Sequence, residues 1–356
     1  MEVDEPSLNY FKSYEDVEVH KLMLNDDPRN AAYHDAIFNN KAEIDGKVVL
    51  DVGAGSGILS VFCAQAGARK VYAVEASGIS KLAMEIVKEN NMENVIQVFH
   101  SRVEDITEVQ IPEKVDVIVS EWMGFYLLHE GMLDSVIVAR DRFLKPDGLI
   151  FPESASIYAS PCSVPSVYQH WENVQGVRME SFSRLLREQA YKKPLTESVS
   201  PDCILSEPEV VMWIDLREVT SADLNEIKFR HVAVSTRVAS YEGICLWFTC
   251  TFPFPKGPGN SEPVTLSTEP EEPDTHWKQT LIVLPNSLKV EAGSPICYDL
   301  LLKRSERSSR RYTLELTMLD PEEVEHPEFC GCFMTKCILV NAMIEKYERG
   351  EGDGAE

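Results

Sequence analysis

A parallel α/β domain followed by a mostly antiparallel β domain is the fold class this sequence predicts, and three observations predict it. From Lys47 to about Phe151, short apolar runs alternate with amphipathic helical segments, the pattern of a parallel sheet wrapped by helices. A glycine-rich turn, Asp51-Val-Gly-Ala-Gly-Ser-Gly57, joins the first of those strands to the first helix, where glycine permits a sharp turn and close approach of a ligand. After Phe151-Pro152 the long helices give way to short strands rich in Val, Ile, Tyr and Thr, with turn residues between them.

Residues 8 to 40 read as helical, because Tyr10, Phe11, Tyr14, His20, Met23 and Leu24 recur at three- and four-residue steps, and Pro28 marks a break between helices. Val48-Val-Leu-Asp51, Val71-Tyr-Ala-Val-Glu75, Val95-Ile-Gln-Val98 and Val115-Asp-Val-Ile-Val-Ser120 are the strands of the α/β domain. Inside the β domain, Trp171, Val174, Val177, Phe182, Leu185 and Leu186 make Val164 to Pro194 an amphipathic helical insertion. The Pro- and Gly-rich stretch from Phe254 to Pro273 reads as a loop and Gly350 to Glu356 as a frayed acidic tail. The expected organisation is N-terminal helices over 1–40, the α/β domain over 41–151, the β domain over 152–349 with an insertion at 163–195, and a tail over 350–356.

Bulk properties narrow the partners. A formal net charge of −24 repels phosphate backbones and attracts cationic partners, so direct nucleic-acid binding is not expected. No apolar stretch is long enough to span a bilayer, and the acidic start Met1-Glu-Val-Asp-Glu-Pro6 lacks the basic and apolar pattern of a secretory signal. Nine cysteines scattered from Cys63 to Cys337 suit reduced thiols in the cytoplasm or nucleus. Cys330, Cys332 and Cys337 cluster, but three thiols with no evident fourth ligand make a poor zinc site, and no metal is expected.

The spacing of the glycine turn selects among nucleotide-like ligands. A dinucleotide fingerprint would place its third glycine at Ile58, whereas this turn reads G-x-G-x-G, which disfavours a nicotinamide enzyme. Glu75 ends the next strand, where a carboxylate accepts both hydroxyls of a ribose, and Glu104 follows the third strand, where it can accept from an adenine amino group. At the end of the fourth strand, Ser120-Glu-Trp-Met-Gly124 and the later Glu130 set two acids around an aromatic turn, Trp122 to Tyr126. A planar, forked guanidinium presents paired N–H donors that two carboxylates can take, so the pair suits arginine better than lysine.

Together these pieces carry a resemblance. The sequence resembles the protein arginine methyltransferase family over nearly its whole length, most specifically in Tyr10-Phe-Lys-Ser-Tyr14, the glycine turn, Ser120-Glu-Trp-Met-Gly124 with Glu130, and Thr275-His-Trp277. The resemblance implies a Rossmann-like S-adenosylmethionine-binding domain, an antiparallel β-barrel and a helical dimerisation arm. It makes Glu121 and Glu130 the clamp on a substrate guanidinium. Gly53, Gly55, Glu75, Val103, Glu104 and Met132 become cofactor contacts, with Arg29 on the cofactor carboxylate and His20 on the adenosyl group. His276 would pair with Asp26 to take protons away, while Tyr14, Met23 and Trp277 would line the substrate pocket.

The implied chemistry is direct displacement, leaving S-adenosylhomocysteine. A sulfonium and a guanidinium ~4 Å apart repel by roughly 4 kcal/mol at an effective dielectric constant near 20, and two carboxylates offset that. Met23 and Met132 match positions that line the pocket in members forming asymmetric dimethylarginine, which makes that the expected product, on Gly/Arg-rich proteins and histones, by a homodimer. Gly131 stands where relatives often carry serine, and the Phe254 to Pro273 loop diverges, both bearing on substrate choice. A small-molecule methyltransferase and a catalytically silent arginine-binding module are the alternatives at this point.

Overall fold

The computed structural model describes residues 10–255, 262–306 and 308–349. Its first half is a parallel sheet in the order β3-β2-β1-β4-β5, with β1 Val48–Val52, β2 Lys70–Glu75, β3 Ile96–His100, β4 Val115–Val119 and β5 Leu144–Phe151. Every residue of β1 is buried, as a central strand covered on both faces requires. The chain direction of the crossovers reverses between β1 and β4. Loops leaving those two strands therefore part and open a crevice at their carboxyl ends.

Two helices roof that crevice. α1 (Val17–Leu24) starts at Asp16, whose side chain accepts from the Glu18 amide, and α2 (Asp27–Asn39) starts at Asp26, which accepts from the Arg29 amide at 3.0 Å. Pro28 lies in the first turn of α2, where its missing N–H costs nothing, so the break falls just before it. α3 (Lys41–Ile44) leads into β1, and α4 (Ile58–Gln65), α5 (Ser80–Glu89) and α6 (Leu133–Phe143) cover the sheet.

The second half holds two antiparallel sheets on a core continuous with the first. β6 (Ser154–Cys162), β7 (Leu195–Glu197), β8 (Glu209–Asp215), β10 (Ala239–Thr251) and β12 (Gln279–Val290) run in the order β7-β12-β10-β6-β8, with β11 (Thr265–Ser267) beside β10. β9 (Glu226–Val234), β13 (Pro295–Ser305) and β14 (Ser308–Met318) form a three-stranded sheet in the order β14-β13-β9. The expected barrel thus takes the form of a six-stranded and a three-stranded sheet that both contribute to one apolar core. Tyr33 of α2 packs edge-on against Phe252, 4.9 Å between ring centres, and Asn40 donates to the Pro253 carbonyl, which docks the halves together.

Two expectations need correcting. The insertion is helical only over α7 (Glu180–Ala190); Trp171, Val174 and Val177 lie in turns. The cause is local: Asn173 accepts from the Gly176 amide at 2.7 Å, and Gln175 and Gly176 take left-handed φ values of 53° and 85°, which end any helix. The stretch from Phe254 to Pro273 contains β11, because Thr265 to Ser267 pair with Thr251 to Thr249. α8 (Thr335–Glu348) closes the described chain and packs through Cys337 against Val232 of β9 and Cys297 of β13. The acidic tail lies outside the described residues.

Candidate active site

One cavity runs along the carboxyl end of the parallel sheet, under α1. Its walls include twelve of the residues singled out from the sequence: Tyr14, His20, Met23, Arg29, Gly53, Gly55, Glu75, Val103, Glu104, Glu121, Glu130 and Met132. Asp26, His276 and Trp277 are not on its wall.

The turn after β1 makes one end of the cavity. Gly53 has φ +73°, and a Cβ built there would lie 2.1 Å from the Met132 Cε, so the backbone itself forms the surface. Glu75 at the tip of β2 is buried and gripped by main chain: the Gly55 amide donates to Oε2 at 2.8 Å and the Ser77 amide to Oε1 at 2.7 Å. Each oxygen keeps acceptor capacity for a diol. His20 is buried against Gly55, with Nε2 2.8 Å from the Tyr14 carbonyl. After β3 comes a short 3-10 turn, Val103–Asp105, pinned by Arg142, which donates to the carbonyls of Glu104 and Ile106. Glu104 accepts from Ser135 at 2.7 Å and faces Arg102 at 3.3 Å.

The other end holds the two acids. Ser120 donates to the Val52 carbonyl and accepts at its own carbonyl from Tyr33, which ties the tip of β4 to β1 and α2. The next residue, Glu121, receives Arg29: Nε and NH2 reach its Oε2 at 3.1 and 2.9 Å in a buried ion pair. Arg29, expected on a cofactor carboxylate, is therefore placed on Glu121, the acid expected to meet substrate, although it also faces the cavity.

Glu130 sits in a strained loop in which Tyr126, Leu127, Glu130 and Gly131 all have positive φ. What over-determines that loop is β14. The Glu130 amide donates to the Arg310 carbonyl at 2.8 Å, and Arg310 NH1 donates back to the Glu130 carbonyl at 2.9 Å. The Arg310 guanidinium in turn lies 4.1 Å from the Tyr10 ring centre and 5.0 Å from that of Phe11. Tyr14 donates its hydroxyl to Glu130 Oε2 at 2.6 Å. Burial pushes the Glu130 carboxyl above its usual range, and Glu121 adds to this, against the opposing Tyr14, Tyr10 and Arg310. Gly131 has φ +61°, and a Cβ on it would come within 2.8 Å of the Ser309 carbonyl, so serine has no room here.

Beside the acids, Asp26 Oδ2 accepts both from the His276 amide at 2.8 Å and at the His276 ring Nδ1 at 2.5 Å. Burial raises the Asp26 carboxyl, but the His276 bonds and the Arg29 amide outweigh it and hold it below the usual range. Trp277 is buried, donating from its indole to the Met123 carbonyl at 2.8 Å, and so supports the acid loop from behind. Sequence reasoning missed Arg310 and Arg142. The first acts through strand register, and the second is one basic residue among many on a helix.

Comparison with known proteins decides the family. The chain is 42% identical over 324 residues to protein arginine N-methyltransferase 6 of Danio rerio, covering 89% of this chain and 90% of that protein. The chain belongs to the protein arginine N-methyltransferase family. A family model described as the arginine methyltransferase oligomerization subdomain matches residues 153–319, and one for ribosomal protein L11 methyltransferase matches 37–150. Among solved structures, Arabidopsis thaliana protein arginine methyltransferase 10 superposes with a TM-score of 0.76 at 35% identity, over 87% of this chain and 94% of that one. The Trypanosoma brucei PRMT1 enzyme-prozyme heterotetrameric complex with AdoHcy gives 0.74 at 34% identity, over 88% and 98%.

As an arginine methyltransferase, the protein uses S-adenosylmethionine to methylate arginine in proteins, and the small-molecule alternative falls away. The cavity suits that cofactor. Glycine leaves the turn bare, Glu75 offers two held acceptors, and Val103 and Met132 supply apolar surface next to Glu104. No helix among the described residues is long and apolar enough to cross a membrane.

Proposed function

We propose that this enzyme forms mono- and then asymmetric dimethylarginine, that it acts on Gly/Arg-rich proteins and histones in the cytoplasm or nucleus, and that it works as a homodimer. The observation that carries the reading is that Glu121 and Glu130 open into the same cavity as the glycine turn and Glu75. Gly53, Gly55, Glu75, Val103, Glu104, Met132 and His20 hold the cofactor, which supplies an electrophilic methyl group when bound.

Glu121 and Glu130 take the N–H donors of the substrate guanidinium, concentrate its charge on the held nitrogens and leave the third nitrogen aimed at the methyl. Arg29 borders the cavity as well as pairing with Glu121, so it would be the residue to meet the cofactor carboxylate, which would leave Glu121 Oε2 to the substrate guanidinium. Asp26 and His276 accept the departing proton from outside the wall, with Trp277 fixing the loop that carries the acids. The oligomerization-subdomain match and the exposed Val177, Phe182 and Leu185 on the insertion support dimerisation through that arm.

Product choice rests on Met23 and Met132. Both face the cavity, and an unbranched thioether yields space to a nitrogen that already carries a methyl. Incubation with a Gly/Arg-rich peptide, followed by mass-spectrometric fragmentation that separates the two dimethyl isomers, is expected to give the asymmetric one. Met23→Phe is expected to shift product toward monomethyl or symmetric forms. Symmetric product from the unmodified enzyme overturns the assignment, and unchanged product from Met23→Phe removes Met23 from it.

A further inference from the structure

The three clustered cysteines gain a partner that spacing did not reveal. His326 lies in the segment between β14 and α8, and its Nδ1 stands 3.4 Å from Cys330 Sγ, 3.4 Å from Cys332 Sγ and 3.2 Å from Cys337 Sγ. The four donor atoms all lie within 4.8 Å of one another, and all three cysteines are buried and free. We infer that His326, Cys330, Cys332 and Cys337 form a structural zinc site.

Three physical arguments carry this. A tetrahedral zinc with Zn–S near 2.3 Å and Zn–N near 2.05 Å separates sulfur from nitrogen by about 3.6 Å, close to what the apposed side chains show. One imidazole nitrogen has one lone pair and cannot accept from three S–H donors, although all three thiols converge on Nδ1, whereas a central cation satisfies all four atoms at once. The histidine is also pre-set for ligation. Its Nε2 lies 3.0 Å from the Pro321 carbonyl, which takes that N–H and leaves Nδ1 bare toward the thiols.

The surroundings agree. Lys336 donates to the carbonyls of Pro321, Glu322 and Val324, folding that segment back onto the helix start and placing an ammonium beside a site whose charge with zinc and three thiolates is −1. Zinc entry displaces three thiol protons to solvent. A set of three thiolates and one imidazole selects zinc over magnesium or calcium.

The site also explains how α8 stays attached. Cys337 is the buried residue of that fourteen-residue helix, while Ile338, Leu339, Met343 and Tyr347 are exposed. Beneath the cluster lie Val232 of β9 and Cys297 of β13. The ion would therefore clamp α8 to the three-stranded sheet, away from the cavity.

The test uses the full chain, expressed with zinc and analysed by elemental mass spectrometry. About one zinc per chain is expected, and cobalt loaded in its place should give tetrahedral d–d bands with sulfur charge-transfer absorption. His326→Ala and Cys332→Ser should each drop the zinc content at least about tenfold, with turnover on the peptide retained as a sign of folding. A strong chelator should make the segment after β14 sensitive to limited proteolysis. Absence of stoichiometric metal from the zinc-loaded chain, retention of metal by the His326→Ala/Cys332→Ser double variant, or a disulfide among the three cysteines in freshly purified protein each overturns the inference. None of these outcomes bears on the arginine chemistry.

Discussion

At the cofactor end of the cavity, the groups facing a ligand are held by main chain close in sequence: Glu75 by the amides of Ser77, two residues on, and Gly55, twenty back. At the acid end, Glu121 is held by Arg29 across 92 positions and Glu130 by Tyr14 across 116, with Arg310 locking its backbone across 180. Main-chain donors on a β-strand tip neither rotate nor titrate, which suits a ligand common to many reactions. Side-chain holders reaching in from distant parts of the chain can rotate and titrate, so the acids depend on contacts that a single substitution removes. The two ends should therefore fail differently.

The largest effects should separate them cleanly. Glu130→Gln keeps the shape and removes the charge, so kcat is expected to fall by about 10²–10³-fold, as for loss of one preorganised electrostatic contact, with cofactor Kd changed less than about twofold. Its melting temperature should not fall, since burial already disfavours the ionised carboxyl. Gly53→Ala is the mirror case. Its Cβ, 2.1 Å from the Met132 Cε, must push that side chain off its place on the cavity wall, so cofactor Kd should rise about tenfold or more while kcat at saturating cofactor changes little, and φ +73° should cost about 1–3 kcal/mol of stability besides. Equilibrium dialysis and single-turnover rates read both, and a Glu130→Gln defect that appears mainly in cofactor Kd breaks the comparison.

A smaller effect sharpens the acid end. Tyr14 lowers the raised Glu130 pKa by donating to it, so Tyr14→Phe should raise that pKa further. Glu130 must be ionised to hold a guanidinium, so the acidic limb of the kcat/KM profile should move to higher pH, with a loss of about tenfold on that limb. An unmoved limb would show that another group controls it.

How much was legible follows the same division. The glycine turn and Glu75 were readable because their spacing is the structure: a turn, a helix and a strand tip within 25 residues. Glu121 and Glu130 were readable as a pair of types at one strand end. Arg310 was not, because its role depends on which residue of β14 lies opposite Glu130, and no local pattern encodes that register. His326 escaped for a related reason. Its spacing to Cys330 resembles no paired-cysteine motif, and the fold, not the spacing, turns its ring toward the thiols. The first half of the insertion misled because apolar residues at helical steps outweighed the turn chemistry of Asn173 and Gly176. The Arg29 ion pair to Glu121 was hidden by the family role expected of Arg29 on a cofactor carboxylate.

The smallest effect on activity tests the root of the glycine turn. Asp51 is fully buried under that turn. Its Oδ2 accepts from Ser60 at 2.6 Å, and its Oδ1 has no hydrogen-bond partner. Burial pushes its carboxyl from 3.8 up to about 7, against Ser60 and with help from Glu75. At pH values below 3.8 the folded and unfolded chains both hold this proton, so the group does not affect stability. Between 3.8 and about 7 the unfolded chain releases the proton and the folded chain keeps it, so unfolding becomes progressively easier as pH rises. Above about 7 both forms are ionised, and the penalty stays constant at a few kcal/mol, because each tenfold difference in proton affinity between the two forms is ~1.4 kcal/mol. Asp51→Asn removes the titration while keeping an oxygen for Ser60. Its melting temperature relative to the unmodified protein should therefore climb between pH 5 and about 7 and then level off. Because Asp51 is not on the cavity wall, kcat should stay within about twofold. A difference that is flat with pH, or a variant less stable at pH 8, would mean that the buried carboxylate is ionised and partnered in the fold. The backbone-built end of the cavity would then depend on a charge after all.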